Sequence, residues 1–413
     1  MDWLERMNEM DKKFWQGVLS GVLGTLVLFL LVLGIGSFAF GGVTVVTGAN
    51  TEALGENTSA VLSKMNSLRR YMNEYFMEEV DSDQLADGVY KGMFESLGDP
   101  YSCYYTKEEY DELMEESSGK YCGIGATITQ DPENGTVYIV RPFEGGAAYD
   151  AGIETGDIIY KVDGKDMTGK DLTEVVNRTK GEEGTTVEIE FYLSKKKKYK
   201  TFTLERRQIE VPTVEHEMVE GEIGYIAVSA FDEPTDEQFV SAIEDLQKEG
   251  MKGLVVDLRN NGGGMLDTVV SMLDYMLPEG KVIVSTKDKN GKGEVFKSKS
   301  ANEFSMPLVV LINENTASAS EVFSGAIQDY KMGTIVGTTS FGKGIVQSVI
   351  PMSDGTAIKL TTAKYYTPND RNIHKKGIEP DIEVKLDTDG KKDNQYEEAL
   401  RVVKQKIKQA SKE

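Results

Sequence analysis

Residues 313–321 read Asn-Glu-Asn-Thr-Ala-Ser-Ala-Ser-Glu, and residues 337–347 read Gly-Thr-Thr-Ser-Phe-Gly-Lys-Gly-Ile-Val-Gln. The apolar run from Leu308 to Ile312 reads as a buried strand. Ala319, Val322, Phe323, Ala326, Ile327 and Tyr330 then recur at the spacing of one helix face. A helix is therefore expected to begin near Ala319, with Ser318 on the strand-to-helix turn. Two roles compete for that serine. With Glu321 it fits a capping box, in which the hydroxyl only satisfies a free backbone N–H. It also fits a nucleophile, which needs a base. The chain has two histidines, His216 and His374, which leaves little material for a Ser-His-Asp triad. Lys343 serves instead if burial holds it neutral.

Lys343 has a rival reading. Gly337-x-x-x-x-Gly342-Lys343 follows the strand-like Thr334-Ile335-Val336, as a phosphate-binding loop would. Such a loop continues with Ser or Thr and opens a helix. Here the next residue is Gly344, and Ile345 to Ile350 reads as a strand ended by Pro351. The nucleotide reading fails on both counts.

The two segments together resemble the carboxyl-terminal processing proteases, S41-type Ser-Lys peptidases that carry a PDZ domain. The shared features are the Ala-Ser-Ala-Ser-Glu turn, the Gly-Lys-Gly, and a Gln four residues after the Lys. Lys343 follows Ser318 by 25 positions, the family's spacing. The resemblance implies Ser318 as nucleophile, Lys343 as general base and Gln347 as the residue that orients the lysine. On a strand of period two, Lys343 and Gln347 share a face. Ser320 is the competing nucleophile, and the spacing argues against it.

The chain begins differently. No charge appears between Phe14 and Thr51, and Val18 to Phe40 is strongly apolar. A membrane span needs ~20 such residues. Ser37-Phe38-Ala39 resembles a signal-peptide cleavage site, but cleaved signals have apolar cores of only about 7–15 residues. An uncleaved transmembrane anchor over 17–40 is expected, after a cytoplasmic 1–16 and before a linker over 41–58. Arg6, Lys12 and Lys13 precede the span and no basic residue follows until Lys64, which orients the N-terminus inward and the bulk extracytoplasmic.

The net charge of −22 excludes a nucleic-acid binder, which needs a basic surface. Cys103 and Cys122, the only cysteines, have no matched histidines and make no zinc site. Whether they pair is open at this level. No metal, nucleotide or other cofactor is implied.

Residues 59–120 read as a helical region. Val61, Leu62, Met65, Leu68, Met72, Tyr75 and Phe76 form one stripe, with steps of four and three over about two heptads. Leu85, Val89, Met93, Phe94 and Leu97 form a second, stopped by Gly98-Asp99-Pro100. The family's corresponding region commonly dimerises, so the resemblance implies a homodimer.

Residues 121–207 contain Gly123-Ile124-Gly125, a strand pattern, and Ala151-Gly-Ile-Glu-Thr-Gly-Asp-Ile-Ile159. The ordered set looks like a PDZ domain, which would take substrate C-termini. The glycine-bearing turn exposes amides for a terminal carboxylate, and the next strand edge pairs with an extended peptide. A helix from Asp171 to Arg178 would be the other wall, with Leu172, Val175 and Val176 on its apolar face. Lys195 to Lys198 reads as a solvated hairpin tip.

Residues 208–388 read as an α/β core. Strands are expected at 224–228 and 253–258 and a helix at 236–248. Arg259-Asn-Asn-Gly-Gly-Gly264 follows. Its glycines do not fit a dinucleotide fingerprint. The resemblance gives this segment the oxyanion role, with Gly263 or Gly264 donating alongside Ala319. The family builds this core like the crotonase and Clp-protease folds. Residues 389–413 hold a terminal helix with Tyr396, Leu400, Val403 and Ile407 on one face, expected to help dimerise.

The expected whole is a membrane-anchored serine endopeptidase cleaving extracytoplasmic proteins or peptides. A different class of function is an inert PDZ-containing scaffold, which has no need of Ser318, Lys343 and Gln347 together.

Overall fold

The computed structural model describes residues 58–387 and 392–412. The apolar segment over 17–40 lies outside them. Among the described residues no helix is long and apolar enough to cross a membrane. The chain divides into two units, 1–85 and 86–413. In the first, α1 (Thr58–Tyr75) buries none of its residues, and Leu62, Leu68, Met72 and Tyr75 of its stripe are exposed. Helix α2 (Ser82–Glu95) follows, also with nothing buried.

The PDZ region is entered through β1 (Cys103–Tyr105), α3 (Lys107–Ser118) and β2 (Lys120–Gly123). Thr106 caps α3, its Oγ1 accepting from Glu109 N–H at 3.2 Å while Glu109 accepts from Thr106 N–H at 2.9 Å. Strands β3 (Ala126–Gln130), β4 (Val137–Pro142), β5 (Ile158–Val162), β6 (Lys165–Asp166), β7 (Thr186–Leu193) and β8 (Lys198–Glu205) form one sheet. Its order is β3-β4-β5-β7-β8, with β6 on β5, so β3 is an edge. Short α4 (Ala147–Asp150) and α5 (Leu172–Thr179) close it. Asp171 caps α5, accepting from Thr173 N–H at 2.8 Å.

Along β7 the alternate residues Val187, Ile189, Phe191 and Leu193 are all buried, the period of two that one covered face demands. Val175 is buried in the same core, whereas Leu172 and Val176 of α5 are only partly covered. Of the three expected on the groove wall, Val175 is therefore spent inside. Residues 194–197 are the turn between β7 and β8, and Lys195 pairs there with Glu154. The chain leaves through β9 (Arg207–Glu210), which pairs antiparallel with β2. Cys103 and Cys122 are free thiols on β1 and β2.

The core continues through β10 (Val214–Val219), β11 (Ile223–Val228), α6 (Thr235–Lys248), β12 (Gly253–Asp257), α7 (Leu266–Met276), β13 (Val282–Asp288) and β14 (Val295–Lys297). Then come β15 (Leu308–Ile312), α8 (Ala319–Asp329), β16 (Gly333–Gly337), β17 (Ile345–Pro351), β18 (Ala357–Tyr366), β19 (Ile382–Glu383) and α9 (Asn394–Ala410). The main sheet runs β10-β11-β12-β15-β16-β19, parallel from β11 onward. Every residue of β12 and β15 is buried, as expected of parallel strands covered on both faces. Leu254, Val256, Leu308 and Val310 pack with Phe239, Leu273 and Phe323 of α6, α7 and α8. Val255, Val309 and Leu311 pack on the other face with Leu400, Val403 and Ile407 of α9.

The α9 stripe that suggested a dimer surface is thus spent on its own sheet. A Cβ at Gly253 would stand 2.8 Å from Val403 Cγ2, so α9 lies against bare backbone. A second sheet, β1-β18-β13-β14 with β17 on β18, flanks the main one.

Arg259, just beyond β12, fastens α9 at its start. Its guanidinium donates to Asp257 Oδ2 at 2.6 Å, to Asp393 Oδ1 at 3.0 Å and to Gln395 Oε1 at 3.1 Å. Asp257 is buried and also accepts from Tyr225 Oη at 2.8 Å. Removing one partner of a buried pair costs about 3–5 kcal/mol. Arg259→Ala should therefore lower the urea midpoint markedly, whereas Lys252→Ala, which breaks the exposed pair with Glu222, should barely move it.

Candidate active site

Three neighbouring parallel strands, β12, β15 and β16, each run into a loop at their carboxyl ends. Those loops carry Asn261 to Gly264, Asn313 to Ser318, and Thr338 to Gly344. Ligands of open α/β sheets bind at this edge because the loops converge there.

Ser318 begins α8 with φ 55° and ψ −117°, a conformation sparsely used by any residue with a side chain. Several bonds hold it there. Its N–H donates to Glu321 Oε2 at 2.9 Å, and its carbonyl accepts from Tyr365 Oη at 3.0 Å. The Glu321 N–H donates to the Ser318 carbonyl at 2.8 Å. The acidic half of the capping box, Ser318 N–H to Glu321, is thus present. Ser320 is fully buried, its Oγ donating to the Asn261 carbonyl at 3.1 Å. It is a structural hydroxyl.

Glu321 is fully buried. Besides Ser318 N–H, its carboxylate accepts from Ser340 Oγ at 2.5 Å, Gly342 N–H at 2.7 Å and Lys343 N–H at 2.8 Å. One side chain thus holds the serine turn and the lysine loop together. Burial pushes its carboxyl above the usual range, and the hydrogen bonds from Ser340, Gly342, Ser318 and Lys343 pull it back.

Lys343 lies in the loop ahead of β17, which starts at Ile345, and no helix follows it. The register of β17 on β18 also shifts between Val346 and Gln347. The strand alternation expected to put Lys343 and Gln347 on one face therefore does not apply. Gln347 lines a cavity of about 360 Å³ together with Ser318, Ala319, Gly264, Leu266 and Tyr365. Its Nε2 donates to Thr361 Oγ1 at 3.4 Å.

Lys343 Nζ stands 4.6 Å from the centre of the Tyr101 ring and makes no hydrogen bond to Ser318 among the described residues. Burial holds its pKa below the usual lysine value, and Lys359 adds to this. Asp99 and Glu321 act the other way. Tyr101 is placed by Asp99, whose Oδ1 accepts its N–H at 3.1 Å, and by Ser102, whose Oγ accepts from Thr361 N–H at 3.0 Å.

In the glycine loop, Asn261 is fully buried and directs the backbone. Its Nδ2 donates to the Val228 carbonyl at 2.8 Å, and its Oδ1 accepts from Gly263 N–H at 2.8 Å. The Gly263 amide is therefore committed. The Gly264 and Ala319 amides donate no hydrogen bond among the described residues. A Cβ at Gly263 would lie 2.7 Å from Ser318 Cβ, and one at Gly264 would lie 2.3 Å from the Phe231 carbonyl oxygen. Only glycine lets this loop press against the serine. Among the described residues no three His, Cys, Asp or Glu side chains gather as a metal site.

Sequence reasoning left Glu321 as a helix cap and did not single out Tyr101 or Tyr365. The Ser-x-x-Glu spacing was the one local signal for Glu321. Tyr101 comes from the turn before β1 and Tyr365 from β18, both distant in sequence from Ser318 or Lys343, and neither was marked by its local pattern.

A serine at a strained strand-to-helix turn, two free amides and a PDZ domain define a serine peptidase of a known kind. Residues 222–384 match the model of peptidase family S41, 112–191 that of the PDZ domain, and 43–109 that of the activating protease CtpB N-terminal domain. The chain is 35% identical to the carboxy-terminal processing protease CtpA of Bacillus subtilis, over 87% of this chain and 77% of that protein. It is 35% identical to carboxy-terminal processing protease CtpB of the same organism, over 86% and 77%. A probable CtpA-like serine protease of Staphylococcus aureus is 34% identical over 90% and 73%. The chain belongs to the carboxy-terminal processing protease family and is a serine protease.

Glu321→Gln replaces one acceptor oxygen by an NH₂ group facing N–H donors. The serine turn and the lysine loop should separate slightly, and small misplacements cost roughly 10²-fold in rate. We expect kcat on a peptide substrate to fall on that scale with KM little changed, measured by steady-state kinetics.

Proposed function

We propose that this protein is a membrane-anchored endopeptidase that cleaves extracytoplasmic proteins or peptides with a Ser318–Lys343 dyad, after its PDZ domain captures their C-termini. The observation that carries the dyad is the Glu321 carboxylate, which binds the backbone of both residues at once. Neutral Lys343 leaves the Tyr101 ring, takes the Ser318 proton, and Ser318 Oγ attacks the scissile carbonyl. The Gly264 and Ala319 amides receive the oxyanion. The proton passes from Lys343 to the leaving amine, and water releases the acyl-enzyme. Gln347, in the cavity wall, orients the lysine in its working position.

An extended substrate would add to the free edge of β3, with its carboxylate at the Gly123-Ile124-Gly125 turn and Leu172 and Val176 opposite. Ser117 and Asp232 line both the cavity at Ser318 and a second, of about 390 Å³, that also contains Tyr121. That continuity supports a path from the PDZ turn to the serine. The anchor over 17–40 and the outward topology rest on the uncharged run and the basic residues before it. The exposed α1 stripe supports a homodimer.

Ser318→Ala should abolish cleavage while costing the fold less than about 2 kcal/mol. Arg does not lose its proton in a protein, so Lys343→Arg should be as inactive as Lys343→Ala. The lysine works deprotonated, so the wild-type rate should rise with pH through its lowered pKa. Single-turnover cleavage from pH 5 to 9 checks all three, and an active Lys343→Arg would end the dyad.

For the topology, protease added to intact cells should degrade residues 59–413 and spare residues 1–16. Protection of the large part inverts it.

A further inference from the structure

Under the reading above, a peptide carboxylate docks on the amides of the Gly123-Ile124-Gly125-Ala126 turn, and the present inference rests on that reading. The phenol oxygen of Tyr121 already stands there. Ala126 N–H donates to it at 3.2 Å. The Gly125 amide also favours its ionised form. Neither Ile124 N–H nor Gly125 N–H donates to any other protein acceptor among the described residues.

The ring lies across Gly123, where a Cβ would be 2.9 Å from Tyr121 Cε2 and 3.2 Å from Cδ2. The bare backbone at Gly123 thus makes room for a side chain of the protein itself. Lys180 Nζ stands 5.5 Å from the ring centre and is held by Glu115 at 2.5 Å. Burial, opposed by the Ala126 and Gly125 amides and reinforced by Glu115, pushes the Tyr121 hydroxyl up to about 12. At neutral pH the turn is therefore occupied by an uncharged acceptor. A carboxylate is the stronger acceptor for the same amides, because charge-assisted hydrogen bonds are roughly twice as strong as neutral ones.

We propose that Tyr121 is an internal competitor for the C-terminal carboxylate: its hydroxyl stands at the amide turn of the PDZ domain and must leave when a substrate C-terminus docks. The displacement raises the threshold for binding. A C-terminus that brings a full carboxylate overcomes it, and one that brings a neutral group does so poorly. Tyr121 therefore sets a threshold that falls on the ligands that must displace it, the free C-termini, and limits docking to those that bind strongly.

The test uses the full chain carrying Ser318→Ala, so that bound peptides survive, with and without Tyr121→Phe. The probes are fluorescent decapeptides ending in Ala, Val or Leu, each as free acid and as carboxamide, read by polarisation. Removing one competing hydrogen bond should tighten binding of the acids roughly two- to tenfold. The amides should gain less, so the acid-to-amide ratio should widen. Unchanged or weaker acid binding in Tyr121→Phe, with a native circular dichroism spectrum, overturns the proposal and makes the hydroxyl a structural cap. Should the Phe variant misfold, Tyr121→Leu decides by the same criterion. The reading of the PDZ domain is judged separately, in the Ser318→Ala parent. Equal binding of acids and amides there, or no binding of either, ends that reading and this inference with it.

Discussion

The Glu321 carboxylate sits fully buried on the first turn of α8, with four donors and, among the described residues, no basic side chain bonded to it. A buried carboxylate is costly unless every lone pair is used. Here the donors come from two segments distant in sequence, the Ser318 turn and the loop from Ser340 to Lys343. Neither can move far without leaving a buried oxygen unsatisfied. The chemistry near Ser318 therefore depends on an electrostatic constraint that is not itself part of a reaction. The helix N-terminus adds a favourable field for the same negative charge.

The parallel sheet supplies the rest of the placement. Strands β12, β15 and β16 are adjacent and point the same way, so their carboxyl ends deliver Gly264, Ser318 and Lys343 to one edge. The strands are buried on both faces, by α6, α7 and α8 on one side and α9 on the other. Rigid strands with converging loops give the precision that a site built on loops alone would lack. The strain at Ser318 is tolerated because Tyr365, Glu321 and the packed helix over-determine it.

The PDZ domain hangs on a two-stranded ribbon, β2 with β9, and a residue of that ribbon stands at its amide turn. Tyr121 thus belongs at once to the connection and to the contacts of the glycine turn, where Ala126 N–H donates to its hydroxyl. Tyr121 lines a cavity that shares Ser117 and Asp232 with the cavity at Ser318. The PDZ domain and the protease core are joined by side chains as well as by backbone.

Local periodicity was enough to locate β12, β15, α6, α8 and α9 to within a residue or two, because each is a long apolar pattern with one strong period. The Ser318 turn and the glycine loop were legible for the same reason, since a strand-to-helix turn and tight backbone approaches leave marks in adjacent residues. The PDZ domain was legible from the order of its glycines and strands. What the sequence could not decide was which donor is free. Gly263 and Gly264 are neighbours of the same type, and only the buried Asn261 side chain, reached by folding the loop, commits one of them. The same holds for Val175, which shares a helix with Leu172 and Val176 but turns into the core, and for the α9 stripe, which found its partner in its own sheet. Lys343 and Gln347 were placed on one face by a period that a register shift interrupts. Alternation along a chain is a local property, whereas hydrogen-bond partners and covered faces are set by residues a hundred positions away. The first could be determined from the sequence alone; the second existed only once the strands had paired.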